Sequence, residues 1–330
     1  MPTGTTHEAL TPVRKIMDRH GVHCSLEEFH EAVNVTFHNF EAAVYDQEHS
    51  DMWQSLPQEF NRLADDCGEA AKGHEELHLL DIGCGTGLAT DCLLKTPLGR
   101  KIKSVDLLDT SRIMLKQVAE RSRGWNIPVT INEGLVDSVP KGKTYSLIVT
   151  CSVLHHVPDL PDFLSSIRRL QTNGGIYLHL QDPNGAYLTD PEYLRRVKEG
   201  EPRKLLPDNL ARFAPRRVFG RIYRELTGKQ RESYCDKTNR ELLEKGIIQS
   251  PLTVAEIYSI TDIHVVDGAG ISVDKMMSWM PDYDLISTRS YAFFGRLWSD
   301  LPLHFRKLEE ELAAQKVLNG LHVGAAWKQR

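Results

Sequence analysis

The chain has 330 residues, of which 41% are hydrophobic and 26% charged, and its formal net charge is -5. This balance is ordinary for a globular protein and gives no general reason to expect nucleic acid or an anionic membrane as a partner. The N-terminal sequence lacks the basic and then apolar pattern of a signal peptide, and no run of about 18 apolar residues occurs, so we expect a cytoplasmic protein.

The six cysteines are scattered along the chain without a CxxC pair. Such spacing indicates neither a zinc site nor a disulfide framework. We therefore interpret the cysteines as reduced thiols that lie mostly in the core, and we expect no metal site.

The N-terminal region has a helical pattern. Ser25 and Glu28 have the spacing of a capping box, and apolar residues follow at helical spacing from Leu26 to Val44. We expect residues 1–73 to form a helical cap that precedes the first strand.

From Leu77 onward, strand-like and helix-like runs alternate. The strand-like runs are residues 77–82, 101–109, 129–134, 145–153 and 174–181, and the helix-like runs are residues 88–95, 110–122 and 159–170. This alternation predicts crossover units and an α/β fold with a doubly wound, mostly parallel sheet over residues 74–183. In such sheets, ligands bind at the carboxyl ends of the strands.

The alternation stops after Pro183. We expect a mainly helical insertion over residues 184–250, including a basic amphipathic helix after Pro215. Residues 251–330 are expected to complete the core. The last two strands are predicted at residues 263–268 and 321–327, with a second insertion between them at about 268–318.

The stretch LLDIGCGTG places Asp81 before Gly83, Gly85 and Gly87, between a strand and a helix. Glycines at such a turn let the main chain approach a ligand closely, beside the free N–H groups of a helix start. A dinucleotide site normally has the pattern GxGxxG, with an acid about 20 residues later. Here the pattern is GxGxG, and Asp109 lies 28 residues after Asp81, so the spacing disfavours a nicotinamide oxidoreductase.

LLDIGCGTG resembles the first motif of the class I S-adenosylmethionine-dependent methyltransferases. The similarity continues through VDLLDTSRIML, NEGLVDSVP, YSLIVTCSVLHHVPD and GGIYLHLQ, and it covers roughly residues 77–181. The resemblance implies a Rossmann-like class I methyltransferase fold, S-adenosylmethionine as the cofactor and a small-molecule substrate.

By position, the resemblance implies that Gly83, Gly85 and Gly87 pass under the methionine part of the cofactor. It also implies that Asp109 binds both ribose hydroxyls, a role that suits a carboxylate. Two alternatives stay open, because Asp109 is also a plausible helix N-cap and Asp106 is a rival ribose ligand. Asp81 either orients the loop or meets the ligand's ammonium through water.

The chain departs from the family where an acid usually grips adenine after the third strand, because it reads Gly134, Leu135, Val136 there. The resemblance then assigns adenine recognition to the backbone groups of Leu135 and Val136, or to Asp137.

The end of the fourth strand is where the family lines the methyl-transfer face. Cys151 is a candidate for cofactor contact, and His155 or its neighbour His156 is a candidate general base. Paired histidines at this position nevertheless recur in the family without being catalytic. In the N-terminal region, the resemblance suggests that Tyr45 or Trp53 covers the reactive sulfur, although an aromatic stripe at this spacing is more often core.

We therefore expect methyl transfer to a small-molecule acceptor. One alternative is the reaction of the azetidine-2-carboxylate synthases, which share this fold, in which S-adenosylmethionine cyclises and methylthioadenosine leaves. Another alternative is a cofactor-binding protein without catalytic activity. The sequence does not predict the oligomeric state.

Overall fold

This computed structural model of the protein describes residues 11–185, 187–200, 232–266 and 270–330. The described residues form one seven-stranded sheet in the order β3-β2-β1-β4-β5-β7-β6. Its strands are β1 Leu77–Ile82, β2 Ile102–Asp109, β3 Val129–Glu133, β4 Tyr145–Cys151, β5 Gln171–Pro183, β6 Tyr283–Tyr291 and β7 His322–Gln329.

Strands β1 to β5 pair in parallel, and β7 is antiparallel to both β5 and β6. The prediction of a doubly wound, mostly parallel α/β sheet is therefore confirmed. The strand order reverses between β1 and β4, and this is the point at which open α/β sheets bind ligands.

Helices cover both faces of the sheet and its carboxyl edge. They are α1 Thr11–His20, α2 Leu26–Glu41, α3 Tyr45–Glu48, α4 Ser50–Asp66, α5 Leu88–Leu94, α6 Arg112–Ser122, α7 Leu160–Leu170, α8 Pro191–Gly200, α9 Tyr234–Glu244, α10 Val254–Thr261, α11 Ile263–Val266, α12 Val273–Trp279 and α13 Leu303–Ala314. Because both faces are covered, the strands in the middle of the sheet are almost continuously apolar; the first six positions of β4 are all buried.

The helical N-terminal region is confirmed, and it divides into two parts. The capping box of Ser25 and Glu28 starts α2, and the buried face of α2 packs with α1, α9 and α10 in one apolar cluster. Helix α4 instead packs on the sheet, where Leu56, Phe60 and Leu63 join the same core as Leu79. The cap over the sheet edge thus combines N-terminal helices with helices from the middle of the chain.

The strand predicted at residues 263–268 was wrong. Residues Ile263–Val266 form the short helix α11, and the partner of β7 is β6, Tyr283–Tyr291, which lies inside the segment assigned to the second insertion. A short apolar run cannot be assigned to helix or strand from periodicity alone. Here burial against other helices determined that the run is a helix, because Ile263 is buried in the cluster that holds α1, α2 and α10.

The domain boundaries at residues 73, 183 and 250 stay predictions. The basic amphipathic helix expected after Pro215 lies outside the described residues. None of the helices in the described ranges is both long and apolar enough to cross a membrane.

Glu309 is a buried carboxyl group on α13. Its two oxygens accept the Phe293 N–H at 3.0 and 3.2 Å, and burial raises its pKa from 4.5 to about 8. The folded protein therefore holds a proton that the unfolded chain releases above about pH 4.5. The free energy of unfolding contributed by this group falls as the pH rises from about 4.5 to about 8.

We predict that Glu309→Gln makes stability less dependent on pH. The amide keeps an acceptor oxygen for Phe293 but does not ionise, so the variant should gain ~1–2 kcal/mol relative to the parent between pH 5 and pH 8.5. Urea denaturation at the two pH values measures the difference. Glu311→Gln, an exposed position on the same helix, should follow the parent, and parallel behaviour of both variants would contradict the assignment.

Candidate functional site

The glycine loop joins β1 to α5 in a left-handed conformation, with φ of 66° at Gly83, 51° at Gly85 and 92° at Gly87. A Cβ at Gly83 would lie 2.5 Å from Val153, and one at Gly87 would lie 2.6 Å from Val118. At Gly85, no described atom outside the adjoining residues lies within 4 Å of that position. Two glycines are thus required by packing, and the third leaves the main chain open to a ligand.

Asp109, the last residue of β2, accepts a hydrogen bond from this loop. Its Oδ2 accepts the Gly85 N–H at 2.8 Å, and its Oδ1 accepts the Ser111 N–H at 2.7 Å. Burial raises the pKa of Asp109, although these two N–H groups act to lower it. The N-cap of α6 is Ser111, whose hydroxyl accepts the Met114 N–H, so the alternative of Asp109 as N-cap is wrong.

Asp106 is engaged away from the loop. Its Oδ2 accepts the Tyr145 hydroxyl at 2.6 Å and pairs with the Lys143 ammonium, and the residue is buried. Asp106 pairs with Leu80 in the middle of β1 and lies three positions before Asp109 along β2, so it is set back from the carboxyl edge of the sheet. Of the two acids of β2, the structure brings Asp109 to the glycine loop.

Asp81 is a fully buried carboxyl group at the end of β1. Its Oδ2 accepts the Thr90 hydroxyl at 2.6 Å, whereas its Oδ1 has no hydrogen-bond partner among the described residues. Burial raises the pKa of Asp81 to about 7. A buried carboxylate oxygen without a partner is costly, so its position beside the loop fits a ligand that carries a cationic donor.

The turn after β3 approaches the same edge. The Gly134 N–H donates to the Asp109 carbonyl at 3.0 Å, which places the main chain of this turn beside the end of β2. Leu135 is 54% exposed, and Val136 starts a single 3₁₀ turn. Asp137 is exposed and pairs with Arg169 at 2.8 Å. The adenine contacts of Leu135 and Val136 stay predictions.

Cys151 ends β4 and is half-buried. The next residue, Ser152, has a φ of 60°, and its N–H donates to the Leu180 carbonyl at 2.9 Å. A non-glycine residue in this conformation is strained, which is frequent at functional sites.

His155 lies in the 3₁₀ turn Leu154–His156 that follows β4. Its Nδ1 lies 3.0 Å from Oδ1 of Asp182, a fully buried residue of β5. Burial acts to raise the pKa of Asp182, but the hydrogen bond from His155 and the nearby His179 imidazole, 3.6 Å away, outweigh it and lower the pKa to about 2.

The cap brings Tyr45 to the carboxyl edge of the sheet. Burial raises the pKa of the Tyr45 phenol strongly, and the nearby Glu41, Cys151 and Asp109 raise it further. The phenol therefore lies within electrostatic range of the ends of β2 and β4. Tyr45 and Trp53 do not share one continuous helix, because the helix is interrupted at His49 between α3 and α4.

Asp46 connects the cap to the glycine loop through hydrogen bonds and an ion pair. Its Oδ1 accepts the Thr86 hydroxyl at 2.6 Å and the Trp53 indole N–H at 3.1 Å, and its Oδ2 pairs with Arg121 at 2.6 Å. The Arg121 guanidinium also donates to the Thr86 carbonyl and lies 4.1 Å from the centre of the Trp53 ring. We call this group of four residues, Asp46, Trp53, Thr86 and Arg121, the latch.

Three residues of this site were not predicted from the sequence. Asp46 and Arg121 carry no local signal, since they meet only when α3 folds onto α6. Asp182 had a weak signal, because it is a charged residue at the end of an otherwise buried strand, directly before Pro183.

Residues 80–177 match the family model described as a methyltransferase domain. This part of the chain is thus similar to methyltransferase domains, as the sequence motifs predicted. S-adenosylmethionine is the cofactor of this family, and the open glycine loop, the Asp109 carboxylate and the unpartnered oxygen of Asp81 fit such a ligand.

Similar proteins include two curated relatives. The chain is 32% identical over 108 residues to the ubiquinone biosynthesis O-methyltransferase of Mesorhizobium japonicum, covering 32% of this chain and 41% of the relative. It is 28% identical over 192 residues to the enzyme of the same name from Caulobacter vibrioides, covering 49% of this chain and 69% of the relative. The chain thus spans about two fifths of the length of the first relative.

One solved structure that the chain matches is that of the plantazolicin methyltransferase BpumL in complex with SAH. Its sequence is 12% identical, the match covers 92% of this chain and 97% of that chain, and the TM-score is 0.44.

We predict that Asp109→Ala weakens the binding of S-adenosylmethionine to the methyltransferase domain by about tenfold or more. The variant loses a charged acceptor, which is worth ~1.5–3 kcal/mol. Isothermal calorimetry measures the affinity. Asp106→Asn, on the same strand, serves as the control and should lower thermal stability with little effect on affinity. Equal affinities for Asp109→Ala and the parent would refute the ribose assignment.

We predict that Asp46→Ala loosens the cap. Removal of the carboxylate leaves Arg121, Thr86 and the Trp53 indole without their shared acceptor, so amide hydrogen exchange in residues 45–56 should accelerate several-fold. Mass spectrometry of the exchanged protein provides the measurement. Glu48→Ala, an exposed change on the same short helix, should leave exchange near the parent rate. Equal exchange in the two variants would mean that the latch does not hold the cap.

Proposed function

We propose that this protein transfers the methyl group of S-adenosylmethionine to a small-molecule acceptor. The observation that carries the proposal is the Asp109 carboxylate, held by the Gly85 N–H at the carboxyl end of β2 beside main chain that is open to a ligand. The sequence match to methyltransferase domains over residues 80–177 supports the same reaction.

In this proposal, each part of the cofactor meets a different group of the chain. Asp109 accepts the ribose hydroxyls, and the loop at Gly85 lies under the methionine portion. The free oxygen of Asp81 faces the ammonium, directly or through water. The backbone groups of Leu135 and Val136 bind adenine, and Cys151 contacts the cofactor from the end of β4.

When bound, S-adenosylmethionine supplies a methyl group on a positively charged sulfur. The chain's part in the reaction is to align the acceptor with that methyl group and to exclude water from the site. We assign the exclusion of water to Tyr45, because its phenol lies near both Asp109 and Cys151. Trp53 is assigned an indirect role: it holds Asp46 and Arg121 and so keeps Tyr45 in place.

A small acceptor suits the architecture. Helices α1, α2, α9 and α10 pack together as one apolar cluster beside the carboxyl edge of the sheet. A cap of this kind leaves less room for a nucleic acid or another polymer. His155, at the end of β4, is placed on the acceptor side in this proposal. A cytoplasmic location belongs to the same proposal.

Product analysis tests the reaction. The protein is incubated with methyl-deuterated S-adenosylmethionine, first alone and then with the ultrafiltered small-molecule fraction of a cell extract, and products are followed by mass. We expect S-adenosylhomocysteine and a deuterated acceptor only when the extract fraction is present. Asp109→Ala at the same cofactor concentration should form both products much more slowly.

Two other results would contradict methyl transfer and indicate a different function. Methylthioadenosine formed without extract, faster than in a protein-free blank, would indicate cyclisation to azetidine-2-carboxylate. Tight binding of S-adenosylmethionine without turnover in either arm would indicate a binding protein.

A further inference from the structure

A cluster of two histidines and one aspartate lies beside the candidate site. His155 and His156 belong to the 3₁₀ turn after β4, and Asp262 lies between α10 and α11. One donor atom from each of the three residues lies within 4.8 Å of the donor atoms of the other two. Imidazole nitrogen and carboxylate oxygen are typical ligands of divalent transition metals.

Both imidazole rings are held through the same nitrogen. The Nδ1 of His155 lies 3.0 Å from Oδ1 of Asp182, and the Nδ1 of His156 lies 2.8 Å from the Thr261 carbonyl oxygen. Because a carboxylate and a carbonyl can only accept, each Nδ1 carries a proton, and in the neutral ring the lone pair lies on Nε2. Neither Nε2 has a hydrogen-bond partner among the described residues. Metal-binding histidines are held in this way, by an oxygen acceptor on the other ring nitrogen.

The third donor can approach the two rings. Asp262 Oδ1 lies 3.3 Å from Nδ1 of His156, and the Asp262 side chain is 27% exposed, so it has room to rotate. Donor atoms around tetrahedral zinc are roughly 3.3 Å apart, so the donor atoms of the cluster have to move closer together by up to roughly 1.5 Å. A simple ion pair between His156 and Asp262 explains that one contact. It does not explain why the buried carboxylate of Asp182 holds His155 with its Nε2 free.

The cluster adjoins the face assigned to methyl transfer. His155 follows Cys151, the last residue of β4, by one short turn, and Cys151 lies near the phenol of Tyr45. The ring centres of His155 and His156 are 4.0 Å apart, so the two imidazoles are in contact beside this face.

We propose that His155, His156 and Asp262 bind one divalent transition-metal ion, such as zinc, with Asp182 orienting His155. Three protein ligands leave coordination positions open. Resting on the proposed function, the ion then binds an acceptor hydroxyl oxygen and lowers its pKa, so that the proton passes to water. That oxygen forms the bond to the methyl carbon as the carbon–sulfur bond breaks, and the sulfur keeps the electron pair.

This proposal revises the expectation of no metal site, which rested on the cysteines. The three ligands combine an adjacent pair with a residue more than 100 positions later, so they have none of the close spacing by which zinc sites are recognised in sequence. It also gives His155 a ligand's role in place of the general base expected from the sequence.

The test measures metal binding directly, without turnover. Chelator-treated protein is titrated with Co²⁺, followed by its visible absorption, and then with Zn²⁺ by calorimetry. We expect one ion per chain and an absorption spectrum without the intense band that cysteine sulfur gives to Co²⁺. His155→Ala, His156→Ala and Asp262→Asn should each lose stoichiometric binding, and Asp182→Asn should weaken it about 10–100-fold. His304→Ala, at an exposed histidine of α13, is the matched control.

Absence of one-to-one binding in the parent, or equal binding by a His155→Ala, His156→Ala double variant, would overturn the proposal. Calorimetry with S-adenosylmethionine shows whether each variant is still folded, because the cofactor contacts lie on other residues. A protein that binds the ion but makes no S-adenosylhomocysteine would keep the metal site and refute the proposed function. Methyl transfer by metal-free protein would keep the function and refute the ion's catalytic role.

Discussion

The hydrogen bond between the Gly85 N–H and the Asp109 carboxylate is the contact on which the rest of the site depends. It fixes the glycine loop of β1 against the end of β2, and Asp109 itself is fixed by the Ser111 N–H at the start of α6. A carboxylate held by two backbone donors has a defined orientation before any ligand arrives. Preorganisation of this kind lowers the entropy that is lost on binding.

The latch extends this arrangement to the cap. Asp46 and Arg121 are only partly exposed, at 34% and 26% of their side chains, so their attraction is less screened than that of a surface pair. Thr86, the residue after Gly85, belongs to both the loop and the latch. The position of the cap is therefore coupled to the conformation of the loop, and a ligand that orders one also favours the ordered form of the other.

The sequence predicted best what depends on local pattern. Strands β1 to β5 were predictable because their apolar runs alternate with amphipathic helices, and the capping box of α2 because Ser25 and Glu28 are three residues apart. The pairing of β6 with β7 was not, because the short run beginning at Ile263 has no periodicity that separates a strand from a buried helix. Burial against distant helices decided the structure of that run.

Within the site, too, contacts between residues far apart in the sequence could not be predicted from local pattern. Asp106 and Asp109 are both acids of β2, and only the folded structure shows that Asp106 contacts Tyr145 and Lys143 while Asp109 faces the loop. Asp46 has partners 40 and 75 residues away, at Thr86 and Arg121, and Asp262 meets His156 across an even longer separation. Contacts of this range leave no spacing in the sequence by which they could be recognised.

An irregularity in the backbone of β5 shapes the side of the site on which the methyl acceptor is proposed to bind. Strand β5 has one extra residue relative to β7 between His179 and Asp182, and Gln181 within this bulge has a φ of 65°. In a regular strand, Asp182 would point to the face opposite His179, since side chains alternate. The bulge changes the direction of the Asp182 side chain, so that its carboxylate lies 3.0 Å from His155 and 3.6 Å from His179. The strain at Gln181 thus orients the carboxylate that holds His155, and a regular strand there would leave that histidine without its acceptor.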